Sequence, residues 1–218
     1  MKLLIYGAGG LARVVYDNVM RNTPNKYEKI YFIDDFSEEK PFYYSETIHF
    51  DSIRKIFSGN FVDIEAVVAV GEPVYREKLT GSLEEIGVRL ATIIDKTSII
   101  SPSAKIEDGC IICEQTIVDA NSRVARGALI QPYSAIGHDS KVGRFSVVSS
   151  GCVICGDVDI GDRSFVGVNS SVKEKISVGN DVIIAMGSVV LSNIDSENTV
   201  FGNPARITKG NSNHKVFG

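Results

Sequence analysis

The chain has 218 residues, of which 44% are hydrophobic and 23% are charged, and its formal net charge is −4. This balance argues against a general nucleic-acid binder or a protein that adheres to anionic membranes, because both depend on clustered basic residues. The apolar run within Met1–Gly10 is too short for a signal peptide, and no stretch approaches the ~18 apolar residues of a membrane span. We therefore expect a soluble, cytoplasmic protein of one or two domains without a nucleic-acid or membrane partner.

Residues 1–95 have the pattern of a small α/β domain. An apolar strand over Lys2–Tyr6 leads into the turn Gly7-Ala8-Gly9-Gly10, and an amphipathic helix is predicted over Leu11–Arg21. Further elements are predicted as strands at 30–33 and 65–70 and a helix near 75–79. Strands that alternate with helices predict a parallel sheet, here about half the size of a full dinucleotide-binding domain.

The glycine turn matches the dinucleotide-binding fingerprint only in outline. Gly7, Gly9 and Ala12 have the required spacing, and Asp34-Asp35 follow the second predicted strand. A nicotinamide-dependent enzyme would need a larger sheet and a separate catalytic domain, which this half of the chain does not supply.

Residues 96–209 follow a different rule, in which an aliphatic residue recurs at every sixth position without a break. The positions are Ile100, Ile106, Ile112, Val118, Val124, Ile130, Ile136, Val142, Val148, Ile154, Ile160, Val166, Val172, Val178, Ile184 and Val190. A period of six fits a chain that turns a corner every six residues, so that three hexads close one triangular coil. The pattern predicts a left-handed parallel β-helix of about five coils, stacked at ~4.8 Å with the aliphatic side chains inside.

Two other positions of the hexad also repeat. The fourth residue after the aliphatic is mostly small, which suits a tight corner. The residue directly after the aliphatic is often glycine, at 137, 143, 161, 167 and 179. We expect these glycines to adopt backbone dihedral angles that other residues avoid.

The four cysteines have the spacing of zinc ligands, but the hexad register separates them. Cys110 and Cys152 fall at small inward corners, whereas Cys113 and Cys155 follow the core aliphatic and are expected to point outward. The two pairs lie on the order of 10 Å apart along the prism axis, and zinc–sulfur bonds are ~2.3 Å long. We therefore predict core packing and surface thiols rather than a metal site.

His138 is the one histidine within the repeat, and it lies two places after a core aliphatic, at an outer corner. The residues one coil before and after it are Ala120 and Gly156, which leave a slot beside the imidazole. An imidazole can accept a proton from an attacking nucleophile near neutral pH, and the adjacent Asp139 can keep its other nitrogen protonated. An exposed histidine without a role and a solvated carboxylate are the alternative interpretations.

The whole constellation resembles the hexapeptide-repeat acyltransferases. It consists of the glycine turn, Ile33-Asp34-Asp35-Phe36, the repeat with its His-Asp pair, and Gly202-Asn203-Pro204-Ala205-Arg206. Over nearly its full length the chain is similar to the sugar-nucleotide N-acetyltransferases of bacterial glycan synthesis, of the PglD, perosamine N-acetyltransferase and sialic acid O-acetyltransferase type. The resemblance implies a metal-independent homotrimer that transfers an acetyl group from acetyl-CoA to a nucleotide-linked 4-amino-4,6-dideoxy sugar.

The resemblance also implies roles for individual residues. It assigns His138 as general base beside Asp139, and Gly156 is a candidate backbone donor to the reaction's oxyanion. The nucleotide-sugar site comprises Gly9, Gly10, Leu11, Asp34, Asp35 and Gly71. The acetyl-CoA site comprises Val147, Gly156, Val168, Met186, Gly187, Pro204 and Arg206.

Two positions depart from the PglD pattern. Val147 stands where PglD-like enzymes have a second histidine that contacts the acetyl donor, and Leu11 stands where relatives often have histidine. Perosamine N-acetyltransferases also lack the second histidine and also pair histidine with aspartate. The nucleotide is therefore left open among UDP, GDP and dTDP.

Three other functions are alternatives to N-acetylation. O-acetylation would use the same site with a hydroxyl acceptor, whereas a non-catalytic sugar-nucleotide-binding scaffold would not bind coenzyme A. A γ-class carbonic anhydrase needs three histidines around one metal, and His138 is alone in the repeat. The motif at 202–206 can also be a plain turn, and the polar tail at 210–218 is expected to be loose.

Overall fold

The computed structural model describes residues 1–35 and 46–217, and Phe36 of the predicted motif lies outside them. The elements of the α/β domain are β1 (Lys2–Tyr6), α1 (Gly10–Asn22), β2 (Lys29–Ile33), β3 (Glu46–Ile48), a 3-10 turn (Phe50–Ser52), α2 (Ile53–Ile56), β4 (Ile64–Val68), α3 (Pro73–Glu85) and β5 (Arg89–Leu90). The strands form a five-stranded sheet in the order β3-β2-β1-β4-β5, and all pairs are parallel. The predicted parallel α/β unit is thus confirmed. Within the described residues no helix has the length and apolar composition needed to cross a bilayer.

Alternate residues of β1 face two different apolar layers. Leu3 and Ile5 pack with α1 and with the second half of the chain, in a cluster that includes Leu129. Leu4 and Tyr6 point to the opposite layer, which contains residues of α2 and α3. The face of the sheet that contains Leu3 and Ile5 therefore packs, together with α1, against the second half of the chain.

Seventeen two-residue strands build a triangular prism with three faces. The domain face, which packs on the α/β domain, contains β6 (Ile93–Ile94), β9 (Ile111–Ile112), β12 (Leu129–Ile130), β15 (Val147–Val148), β18 (Phe165–Val166) and β21 (Ile183–Ile184). The apolar face contains β7 (Ile99–Ile100), β10 (Ile117–Val118), β13 (Ala135–Ile136), β16 (Val153–Ile154), β19 (Ser171–Val172) and β22 (Val189–Val190). The charged face contains β8 (Lys105–Ile106), β11 (Arg123–Val124), β14 (Lys141–Val142), β17 (Asp159–Ile160) and β20 (Ser177–Val178).

From β7 to β22, the second residue of each strand belongs to the predicted aliphatic series and points into the prism. Side chains such as Val118, Ile136 and Val148 are fully buried there. Each strand pairs in parallel with the strand 18 residues later, as Ile136 does with Ile154. The β-helix prediction is therefore confirmed, with a register of three hexads per coil.

The first residue of each strand points outward and gives each face its character. On the domain face, Ile111 and Leu129 are buried beneath the α/β domain. On the apolar face, Ile99, Ile117 and Val153 remain 65%, 42% and 44% exposed. The three faces therefore present different chemistry to their surroundings.

The glycines that follow the core aliphatics have a different role from the one predicted. Positive φ angles occur two places further along, at every sixth residue from 109 to 187, and Asp139 is one of these residues with φ 59°. Gly137 is not, but a Cβ atom on it would lie 2.6 Å from the carbonyl carbon of Cys155 in the next coil. The prediction of unusual dihedral angles was wrong for these glycines, which instead provide room for close approach of successive coils.

The cysteine prediction is correct for the inward pair. Cys110 and Cys152 are fully buried, and their thiols lie 3.1 Å from backbone carbonyl oxygens of the next turn. Cys113 points out of the prism but is 1% exposed, because the α/β domain covers it. The prediction of a surface thiol was therefore wrong at Cys113, and burial raises its pKa to about 12.

The last coil is shorter than the others and carries the closing hairpin. Ile194 bridges to Val178 and Val200 pairs with Ile184, so this coil has 16 residues instead of 18. The antiparallel strands β23 (Asn198–Gly202) and β24 (Ala205–Gly210) follow, and Val200 is buried in the prism core. The hairpin closes the end of the hydrophobic prism, with a cis peptide bond before Pro204.

Buried polar groups join the two halves of the chain. Arg76 of α3 is 1% exposed and donates hydrogen bonds to the carbonyl oxygens of Val68 in the α/β domain and Gly127 in the prism, at 2.9 and 2.8 Å. Asp95, directly after β6, is also 1% exposed and pairs with Arg21 of α1. These bonds fix the orientation of the α/β domain on the domain face.

The role of the glycines predicts opposite effects for two alanine substitutions. A Cβ atom at Gly143 would overlap the backbone of Gly161, so we expect Gly143→Ala to destabilise the protein by about 1–3 kcal/mol through overpacking. The matched control is Gly81→Ala within α3, where a Cβ atom meets nothing within 4 Å. There alanine should stabilise the helix by about 0.5–1 kcal/mol. Urea unfolding at equal protein concentration measures both, and equal effects would contradict the packing role.

Candidate active site

His138 and Asp139 lie at the corner between the apolar face and the charged face. The imidazole Nδ1 is 2.8 Å from the Asp139 carboxylate, and the Asn121 side-chain amide donates to that carboxylate at 3.2 Å. Asp139 has a positive φ of 59° at this corner. The corner therefore holds a chain of three polar side chains, Asn121, Asp139 and His138, in which the imidazole is oriented through one nitrogen.

The other imidazole nitrogen, Nε2, faces the coil above. A Cβ atom on Gly156 would lie 2.5 Å from this nitrogen, so the ring occupies the space that a side chain would need. The slot expected from the small residue at 156 is thus filled by the imidazole itself. The Gly156 N–H donates no hydrogen bond within the described part of the chain.

Nearby carboxylates control the charge of the imidazole. The hydrogen bond that the imidazole donates to Asp139, together with the negative charges of Asp139, Asp119 and Asp157, raises the pKa of His138 above its usual range. The same pair lowers the pKa of Asp139, with a smaller contribution from Asn121. Near neutral pH the corner therefore combines an anionic carboxylate with an imidazole that readily accepts a proton.

Gly9 and Gly10 form an open helix N-terminus in the α/β domain. Gly9 is the N-cap of α1, no side chain caps this end, and Cβ atoms on Gly9 or Gly10 would meet nothing within 4 Å. Gly7 has φ +118°, and a Cβ atom there would lie 2.8 Å from the Ala69 carbonyl oxygen. The turn thus exposes backbone N–H groups at the positive end of a helix, an arrangement suited to phosphate.

The remaining predicted nucleotide-sugar residues share the same edge of the sheet. Asp35 follows β2 and Gly71 follows β4, on either side of the turn after β1. The Asp35 carboxylate accepts hydrogen bonds from the Tyr6 hydroxyl at 2.6 Å and the Phe50 N–H at 2.8 Å. Asp34 lies beside it, and its N–H donates to the backbone of β3. The structure therefore brings Gly9, Gly10, Asp34, Asp35 and Gly71 to one edge.

Leu11 is the exception among these residues. It is partly buried and packs against the apolar cluster between the α/β domain and the prism. Its side chain therefore contributes to the core, although its backbone belongs to the first turn of α1.

The predicted acetyl-CoA residues fall into separate places in one chain. Val168, Met186 and Gly187 lie at the corner between the domain face and the apolar face, whereas Gly156 lies beside His138 at the other edge of the apolar face. Pro204 and Arg206 are on the closing hairpin. The width of the apolar face therefore separates the two corners within a single chain.

Val147 lies on the domain face and not at either of these two corners. Its side chain is 1% exposed and packs beneath the α/β domain on the domain face. In this chain the residue that replaces the second histidine is thus part of the interface between the two domains.

The sequence analysis did not predict two features, the role of Asn121 and the packing of the segment after β24. Asn121 lies one coil, 18 residues, before Asp139, so the hexad register would have revealed it. The segment after β24 is packed and not loose as predicted, because Asn211 is 5% exposed and the N–H groups of Val216 and Phe217 donate to Glu72. Among the residues that the structure describes, no cluster of three or more His, Cys, Asp or Glu side chains could hold a metal ion.

Comparisons with protein families match both halves of the chain. Residues 2–83 match the PglD N-terminal domain. Residues 157–192 match the hexapeptide repeat of succinyl-transferase. The first matched segment lies within the α/β domain, and the second lies within the last coils of the prism.

Solved structures match nearly the whole chain. The acetyltransferase domain of PglB from Neisseria gonorrhoeae FA1090, in complex with acetyl coenzyme A, has a TM-score of 0.86 at 26% identity, covering 95% of this chain and 98% of that one. WeeI from Acinetobacter baumannii AYE gives 0.87 at 25% identity, with coverage of 95% and 100%. PerB from Caulobacter crescentus, in complex with CoA and GDP-perosamine, gives 0.85 at 23% identity, with coverage of 96% and 98%.

The order of domains, the unbroken repeat and these similarities agree with one another. The likeness to PerB concerns the fold, whereas the PglB domain and WeeI are similar at higher identity over the same span. The chain is similar to acetyltransferases in which a PglD-type N-terminal domain precedes a hexapeptide repeat.

Proposed function

We propose that this protein transfers the acetyl group of acetyl-CoA to the 4-amino group of a nucleotide-linked 4-amino-4,6-dideoxy sugar. The observation that carries this proposal is the His138 imidazole, bound to Asp139 through Nδ1 and held against Gly156 through Nε2. The complexes of the PglB domain with acetyl coenzyme A and of PerB with CoA and GDP-perosamine support the choice of donor and of acceptor class.

His138 acts as the general base in this mechanism. The amine nitrogen of the substrate attacks the thioester carbonyl carbon and forms the C–N bond, while Nε2 of His138 accepts a proton from that amine. Collapse of the tetrahedral intermediate breaks the C–S bond, and the imidazolium returns the proton to the leaving thiolate. Asp139 keeps Nδ1 protonated and stabilises the imidazolium. The Gly156 N–H is the candidate donor to the oxyanion.

The carboxyl edge of the α/β sheet binds the nucleotide sugar. The diphosphate occupies the N-terminus of α1, where Gly9 and Gly10 leave the backbone N–H groups accessible. Asp34 and Asp35 bind the base, and Gly71 lies at the other side of the phosphates. The hydrogen bond from Tyr6 holds the Asp35 carboxylate in place.

The complete active site is formed by a homotrimer. If three apolar faces surround a three-fold axis, each edge of one face meets the opposite edge of its neighbour. This arrangement buries Ile99, Ile117 and Val153, which are exposed in the single chain. It also brings the His138 corner of one subunit to the corner of the next subunit that carries Met186.

Acetyl-CoA binds between these two corners. Met186 and Val168 are 67% and 36% exposed and offer an apolar surface for the pantetheine arm. Arg206, on the closing hairpin, binds the phosphates of the coenzyme. Pro204 and Gly187 line the channel, whereas Val147 is buried by the α/β domain.

The base assignment predicts the effect of two substitutions at the corner. His138→Ala should lower kcat by about 10²–10⁴-fold, because the amine loses its proton acceptor. Gly156→Ala should also lower kcat, since its methyl group displaces the imidazole. Steady-state assays with GDP-perosamine and its UDP- and dTDP-linked counterparts measure this, with acetyl-CoA affinity and melting temperature as controls. A loss below about tenfold for His138→Ala would exclude the role of base, and acetylation only of hydroxyl acceptors would indicate O-acetylation.

The electrostatics of the corner predict a shift in pH dependence. Catalysis needs neutral imidazole, so kcat/KM should fall as the pH drops through the raised pKa of His138. Asp139→Asn removes the carboxylate that stabilises the imidazolium, and we expect the acid limb to move to lower pH while the maximal rate falls. An NMR titration of the His138 ring should show the same direction. An acid limb at the same pH in both proteins would contradict the pairing.

The shared site predicts complementation between two inactive chains. His138→Ala lacks the base, and Met186→Glu places a charge where the apolar arm of the coenzyme binds. A mixed trimer has about one intact site in three, because one junction joins an intact His138 corner to an intact Met186 corner. Coexpression with two different tags, followed by activity assay of doubly purified protein, measures this. Absence of activity in mixed trimers, or a monomeric mass by light scattering, would contradict the shared site.

A further inference from the structure

The segment after β24 is anchored to the α/β domain through a buried carboxylate. Glu72, the N-cap of α3, is 5% exposed and accepts hydrogen bonds from the N–H groups of Val216 and Phe217 at 3.0 and 2.9 Å. At the start of the segment, the Asn211 side chain donates to the Asp181 carbonyl oxygen at 2.9 Å. The segment is therefore held at both ends and runs from the prism to the carboxyl edge of the sheet.

These contacts place the Phe217 ring at the end of β4. The ring packs edge-on against Phe165 of the prism, with 5.5 Å between centroids and an interplanar angle of 82°. It also lies 3.8 Å from the position that a Cβ atom would take on Gly71. Despite these contacts the side chain is 59% exposed, so one edge is fixed while the rest of the ring is available to a ligand.

The order of the strands determines which part of a nucleotide sugar this ring meets. β1 lies between β2 and β4, so a ligand that starts at Asp35 crosses Gly9 and Gly10 before it reaches Gly71. With the diphosphate at the N-terminus of α1 and the base at Asp35, the hexose lies beyond the phosphates. That position is next to the exposed part of Phe217.

We infer that Phe217 determines specificity for the sugar part of the substrate, an inference that rests on the proposed function. An aromatic ring offers an apolar surface to the C–H groups of a pyranose, and the methyl group of a 6-deoxy sugar adds to the apolar area that is buried. A hexose with a 6-hydroxyl group would have to place that hydroxyl against the ring without a hydrogen-bond partner. The segment thus provides a wall of the site that the α/β domain alone lacks.

The test separates the sugar from the nucleotide. Calorimetry measures the affinities of the trimeric protein for GDP-perosamine and for GDP, or for the UDP or dTDP pair if that sugar nucleotide is the one acetylated. Phe217→Ala should weaken binding of the sugar nucleotide about tenfold and leave binding of the free diphosphate unchanged. Phe217→Tyr keeps the ring and should stay within about twofold of the original protein. Val62→Ala is the matched control, because Val62 is a 74% exposed apolar residue just before β4, at the opposite edge of the sheet.

The outcomes distinguish this inference from the proposed function. If the original protein binds and acetylates an amino-sugar nucleotide but Phe217→Ala binds it equally well, the inference is wrong and the function stands. Equal loss of affinity for the sugar nucleotide and for the free diphosphate would also overturn it, since the ring would then act on the nucleotide. If the original protein neither binds nor acetylates any of the amino-sugar nucleotides, the proposed function fails and the inference fails with it.

Discussion

The backbone ladder between successive coils sets the geometry of the His138 corner. Each coil hydrogen-bonds to the one 18 residues later, as Gly137 N–H does to the Ile154 carbonyl and Asp157 N–H to the His138 carbonyl. At this spacing no Cβ atom fits at Gly137 or Gly156, and the imidazole uses the room that Gly156 leaves. The same ladder stacks Asn121 beside Asp139, which completes the chain of side chains that orients the ring. The repeat that packs a hydrophobic prism thus also holds the His138 imidazole, the proposed base, in a fixed position.

The contact between the α/β domain and the prism buries a charged side chain, which is energetically unfavourable by itself. Arg76 is buried with backbone carbonyl oxygens as partners and no carboxylate among the described residues around it, and burial lowers its pKa to about 10. A buried cation without a counter-ion is unfavourable unless fixed dipoles replace its hydration. The carbonyl oxygens of Val70 and Gly127 do this for Nη1 and Nε from opposite sides of the contact, whereas Nη2 is buried without a partner among the described residues. The chain after β4, which leads into Gly71, is thereby tied directly to the prism, so the two proposed substrate sites are held in a fixed relation.

The sequence predicted the features that follow from its six-residue period. It did not predict features that depend on contacts between distant parts of the chain. The hexad count gave the prism, its register, the inward cysteines and the outer position of His138. It could not show that the α/β domain covers Cys113 and Val147, because burial against another domain leaves no periodic signal. The short edge strands β3 and β5 have too few residues for an alternating pattern. The sequence predicts a loose segment before Phe217, because the residue that anchors it, Glu72, is 145 residues away in the chain.

The exposure of His138 links its chemistry to assembly. In the single chain the imidazole side chain is 63% exposed, and its pKa is raised chiefly by the hydrogen bond that it donates to Asp139. In the proposed trimer a neighbouring prism would exclude water from this corner, which disfavours the imidazolium and lowers the pKa. The carboxylate and the desolvation then act in opposite directions on the same ring. Asp139 would therefore offset the loss of hydration that comes with assembly and keep the base near the pH at which it must both accept and return a proton.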